Sequence, residues 1–191
     1  MSQLIDGIDY GPLRQLIGTW SGSKGMDTSP EMDGGTDRNP YTEEITFTPA
    51  GSTDNAEEQE LVAVKYHQVV KKQSNGKIFH DQIGHWLYEP ATGLLMQSIS
   101  IPRGVCLLAG GKILEKDSQL VFSVEANIED SAFGIVQSPF MERKAKTKAY
   151  RIDLKLSEYE MSYHQTTSLY IYGKDFEHSD KSQLTKVVYN G

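Results

Sequence analysis

The sequence predicts an all-β protein: a closed antiparallel up-and-down barrel of about ten strands with a short N-terminal helix. Two observations carry that prediction. Runs of alternating, β-branched and aromatic residues recur along most of the 191-residue chain. Short turn signals separate them, so that successive strands pair as a meander. A meander of about eight to ten strands tends to close on itself, because closure removes exposed edges.

The elements follow in order. Residues 10–17 form the candidate helix, with Leu13, Leu16 and Ile17 on one face, Pro12 in its first turn and Gly18 as its stop. Strand patterns then cover 42–48, 61–70, 77–88, 94–101, 105–108, 119–126, 148–156 and 160–172. Asn75-Gly76, Pro90 to Gly93 and Gly110-Gly111 supply the turns. Two stretches resist a strand reading. Residues 26–40, with Pro30, Gly34, Gly35 and Pro40, read as a mobile acidic loop. Residues 130–146 are broken by Gly134 and Pro139, with a short helix to follow. Loops of this length often serve as lids or ligand-access segments.

Composition narrows the function. With 38% hydrophobic and 24% charged residues, the chain reads as one globular domain over 1–191. No apolar run approaches the roughly 18 residues of a membrane span. Residues 1–10 lack the basic and apolar regions of a secretory leader. The single cysteine, Cys106, excludes an internal disulfide and a multi-cysteine zinc cluster, and points to the cytoplasm. A net charge of −7 argues against nucleic-acid and membrane partners. The basic patches at Lys71-Lys72 and 143–148 read as solvated faces.

The strands are not patterned as a barrel that only packs itself. In 160–172 one face reads Met161, Tyr163, Gln165, Thr167, Leu169 and Ile171; the other reads Ser162, His164, Thr166, Ser168 and Tyr170. A wide barrel has room for a small-molecule ligand, and its lumen then carries polar groups among apolar ones. A half-buried sheet alternating with solvent gives the same parity.

Several motifs carry a family resemblance. Gly18-Thr19-Trp20-Ser21-Gly22, Tyr41 to Phe47, the Phe79-His80…Gly84-His85-Trp86 segment, Pro90 to Gly93 and Ile101-Pro102-Arg103-Gly104-Val105 occur in order. Together they resemble nitrobindin-like heme-binding β-barrels, which are related in shape to fatty-acid-binding proteins and lipocalins. The resemblance implies a ten-stranded barrel plugged by Trp20, with ferric heme b at the open end. It also implies nitric oxide binding and isomerisation of peroxynitrite to nitrate. His178 stands where the family's iron-ligating histidine is expected. Phe79 and His80 match the pair lining the other heme face, with His80 as the catalytic group donating a hydrogen bond to a ligand on iron, or partnering a ligand carboxylate. Met161 and Tyr163 would complete the heme site. The chain departs from the family at Lys24, where a glycine is common, at the long 26–40 stretch, and at Ser179 and Asp180 after His178.

Of the other histidines, His67 and His85 read as structural and His164 as a reserve ligand. A second function stays open: a heme-free carrier of a fatty acid or other lipophile, its carboxylate held by Tyr163, Arg151 or Arg103. A Ser-His-Asp hydrolase lacks the Gly-x-Ser-x-Gly elbow that would place its nucleophile.

Overall fold

Trp20 decides which end of the barrel closes. In the computed structural model, which describes residues 4–116 and 119–188, its indole is fully buried and donates its N–H to the Leu16 carbonyl at 2.7 Å. That bond ties strand β1 (Gly18–Pro30) to the 3-10 turn Gly11–Gln15, which is the short helix expected over 10–17. Leu13 and Leu16 project from this turn into the closed end and are wholly buried. The first three residues of the stretch read for a leader, 1–3, lie outside the described residues.

The remaining strands are β2 (Thr36–Asn55), β3 (Gln59–Lys72), β4 (Ile78–Glu89), β5 (Leu94–Ile101), β6 (Val105–Lys116), β7 (Gln119–Asn127), β8 (Ile135–Gln137), β9 (Ala145–Leu156), β10 (Glu160–Ile171) and β11 (Lys174–Lys186). One short helix, α1 (Pro139–Lys144), precedes β9, its first turn capped by the Ser138 hydroxyl. All pairings are antiparallel. Ten strands close the barrel, with β1 against β11 and β5 against β6. Strand β8 lies outside the ring and covers the first residues of β6, which β7 does not reach.

The strands that differ from expectation share a physical reason. Residues 26–40 are not a loop: they are the arms of the β1–β2 hairpin, turning at residues 31–35. Segment 174–186 shows no apolar alternation, yet it pairs along its full length with β10. Residues 26–40 and the first part of 174–186 line the open end, where inward side chains are polar, so the period-2 hydrophobic signal disappears there. Gly110 and Gly111 are not a turn either. They sit within β6 because a Cβ there would collide with the Phe133 ring and the Ser123 carbonyl respectively. The β6–β7 connection includes residues 117–118, which lie outside the described residues.

The apolar core fills the closed half. Trp20, Trp86, Leu95, Phe122, Leu156 and Met161 are all buried there, with Trp86 and Phe122 packed edge to face at 5.7 Å. Lys24, in place of a glycine, is accommodated by a register slip. One extra β1 residue between Gly22 and Gly25 sets Gly25 against the Tyr41 ring. A Cβ on Gly25 would fall within that ring, and Tyr41 is itself buried and hydrogen-bonded. Gly25→Ala is therefore expected to destabilise by about 1–3 kcal/mol, the range for an overpacked core. Thermal denaturation should show it as a fall of roughly 2–4 °C per kcal/mol.

Candidate functional site

Above the core the inward positions become polar. Glu43, Gln68, Gln82 and Gln97 are buried at this level, and over them the lumen opens into a cavity of about 1060 Å³. Val70, Phe79, Ile99, Ile101, Leu107 and Leu169 give it apolar walls, and α1 adds Phe140 and Met141. Lys72, Arg103, Arg143 and Lys144 also line it. The basic patches expected to be solvated faces thus contribute cations to the cavity.

His178 stands on β11 and lines this cavity. Its Nε2 lies 2.6 Å from Oδ1 of Asp27, on the neighbouring β1, and 3.7 Å from Asp180. Asp27 is buried and also accepts hydrogen bonds from Ser29 and Asn39. Burial raises the Asp27 carboxyl, but the hydrogen bond and charge of His178, with those two donors, bring it below the ordinary aspartate value. His178 moves the other way: burial lowers it, and the Asp27 hydrogen bond with the charges of Asp180 and Asp27 raises it above the ordinary imidazole value. Asp180, desolvated and close to Asp27 and Glu43, is pushed up to about 6 despite the opposing charge of His178. Among the described residues, Nδ1 of His178 makes no hydrogen bond.

His80 faces the same cavity from β4, four strands around the wall from β11. A register slip between Ile78 and His80 leaves Phe79 as a bulge, so Phe79 and His80 both line the cavity. Asp81 points outward and pairs with His67 at 3.2 Å. The His80 Nε2 instead meets Oε1 of Gln82 at 3.1 Å. Burial holds the His80 imidazole below its ordinary value; the Gln82 bond and the Asp81 charge oppose that, and the Arg103 and His178 charges add to it.

Tyr163 lies in the cavity floor, buried, with its hydroxyl 2.9 Å from Glu43 and 2.9 Å from the Tyr41 hydroxyl. Gln68 donates to the same carboxylate at 2.7 Å. Desolvation raises Glu43, against the bonds it accepts.

Two expected residues lie elsewhere. Met161 does not reach the cavity: it stands at the closed-end start of β10, paired with Leu156 and Leu184, and packs in the core. Arg151 is on the outer face, paired with Asp153 and Glu125. His85 and His164 are outward and exposed. The sequence reading missed Asp27, Gln82 and Tyr150 as cavity residues. Parity counted from Trp20 reaches Asp27 only if the β1 bulge is included, and nothing in the residue types announces that bulge.

A family model described as the THAP4-like, heme-binding beta-barrel domain matches residues 9–186. The chain belongs to this family. The barrel is also similar to the crystal structure of Rv2717c from M. tuberculosis, with a TM-score of 0.70 at 17% identity, covering 94% of this chain and all of that one. That likeness concerns the fold. No curated protein sequence matches the chain. No helix among the described residues is long and apolar enough to cross a membrane.

A heme fits this donor set. Metal-ligating histidines commonly hold a carboxylate with the ring nitrogen that does not bind metal. His178 has one nitrogen on Asp27 and the other without a hydrogen bond, beside apolar walls and a set of cations.

The Asp27–His178 pair gives a pH-dependent contribution in ligand-free protein. Its histidine part is present below the unfolded imidazole value and fades as pH rises through the raised folded value. Its aspartate part is lost only as pH falls below the aspartate range. Asp27→Asn should therefore cost most near pH 5.5, about 1.5–3 kcal/mol, the range for hydrogen bonds to charged groups. By about pH 9 the cost should shrink, as His178 becomes neutral. Urea unfolding at the two pH values measures the difference.

Proposed function

We propose that residues 1–191 form one ligand-binding unit that carries ferric heme b in the barrel and isomerises peroxynitrite to nitrate. The observation that carries this reading is the Asp27–His178 pair: a cavity-lining imidazole with one nitrogen held by a buried carboxylate. Under this proposal His178 would hold the heme iron. Asp27 fixes its ring orientation and strengthens its basicity. Lys72, Arg103, Arg143 and Lys144 hold the propionates and attract anions. Phe79 and the aliphatic walls keep bulk water from the reacting face, and His80 and Tyr163 supply polar contacts there. Bound heme supplies a Lewis-acidic ferric centre for the rearrangement. The single cysteine, exposed and free, supports a reducing compartment, the cytoplasm.

The same cations favour a second reading, an iron-free carrier of a carboxylate-bearing lipophile. Arg103 is then the leading anchor, since Arg151 lies outside. Native mass spectrometry of protein as purified separates the two: a heme adduct supports the first, an acyl-chain adduct the second. On the first reading, His178→Ala removes the Soret band of protein reconstituted with hemin. A band unchanged by that substitution contradicts the ligand assignment.

A further inference from the structure

A chain of buried hydrogen bonds runs beneath the cavity, and one of its ends is a backbone carbonyl. That end fixes the direction of its neighbours. The Ser98 carbonyl can only accept, so the Tyr66 hydroxyl, 3.2 Å away, donates to it. The Tyr66 oxygen is then an acceptor, and it receives the Gln82 amide N–H at 2.8 Å and that of Gln97 at 3.3 Å. Gln97 Oε1 in turn accepts from the Tyr150 hydroxyl at 3.0 Å, which agrees with the same direction. With its nitrogen committed to Tyr66, Gln82 presents only its carbonyl oxygen to His80 Nε2 at 3.1 Å. An oxygen without hydrogen requires that Nε2 carry one.

We infer that the Ser98–Tyr66–Gln82 chain holds His80 as the neutral Nε2–H tautomer, leaving Nδ1 as a hydrogen-bond acceptor for whatever occupies the cavity. Gln82 is the positioning residue. The Asp81 charge opposes the neutral form, but its carboxylate is turned outward to His67, while the charges of Arg103 and His178 act on His80 in the other direction. Nδ1 makes no hydrogen bond among the described residues. The consequence reverses the role expected for His80 from the family resemblance, which was to donate. The wall facing His178 selects small ligands that bring an N–H or O–H, such as water, a hydroperoxide or peroxynitrite in its protonated form, over acceptor-only anions such as fluoride. The ligand preference rests on the heme reading above; the tautomer does not.

Long-range 1H–15N correlation spectra of ligand-free, 15N-labelled protein above neutral pH test the tautomer directly. The expected pattern for His80 is a protonated Nε2 and a bare Nδ1; a protonated Nδ1 overturns the inference. Gln82→Leu should mix the tautomers, and an unchanged pattern there removes Gln82 from its positioning role. Should that variant fail to fold, Tyr66→Phe, which frees Gln82 to turn, should mix them likewise. In hemin-loaded protein, fluoride should bind the unsubstituted chain and His80→Leu within about threefold of each other. Binding about tenfold tighter to the unsubstituted chain means that His80 donates, and overturns the preference. A protein that takes up no hemin contradicts the proposed function, while the ligand-free spectrum still decides the tautomer.

Discussion

Ten strands enclose more space than their own side chains fill, since a barrel of about eight already leaves an interior just wide enough for them. Everything else in this molecule answers that constraint. At one end the solution is apolar: Trp20, locked to the Leu16 carbonyl, and the residues of the 3-10 turn fill the gap from below. At the other end the lumen opens into the cavity, with Phe140 and Met141 of α1 in its lining. Between the two lies a tier of Tyr, Gln and Glu side chains that satisfy one another. A buried polar group without a partner costs roughly 1–3 kcal/mol, so such a tier persists only when it is bonded throughout. It therefore forms a rigid floor for the ligand chamber.

That floor and the walls above it set two unlike electrostatic environments. Around His178, Asp27 and Asp180 bring negative charge to a desolvated site and favour the imidazolium in the absence of iron. A metal competes with that proton, so binding is coupled to proton release. Around His80 the hydrogen-bond partner is an amide oxygen, the Asp81 carboxylate is engaged by His67, and burial with the charges of Arg103 and His178 keeps the ring neutral. The two histidines differ because β1 is extended past its bulge far enough to bring a carboxylate to one of them.

This arrangement explains what the sequence could disclose. The closed half was legible: Trp20, the alternation of 61–70 and 119–126, and Pro90 to Gly93 all follow from packing apolar faces and from turn chemistry. The family resemblance pointed to Phe79, His80, Tyr163 and His178, and all four line the cavity, though the residues alone left open whether His178 faces inward. The open half was not legible by periodicity, because Asp27, Asn39, His178 and Asp180 alternate among residues that are polar on both faces. Bulges did the rest. The slip at Phe79 turns two successive residues inward, and the slip before Gly25 carries Asp27 to His178. Met161 was misassigned because face parity along β10 is silent about height: the residue shares a face with Tyr163 but sits in the core below it.

Under the proposed function, the space left by ten strands is a defined chamber for one heme, not an incidental void. A titration of ligand-free protein with hemin, followed in the Soret region, tests it most directly. The expected band saturates sharply at one equivalent and weakens as the pH is lowered into the range where His178 is protonated. Absorbance that rises without saturation, as for free hemin, would contradict it.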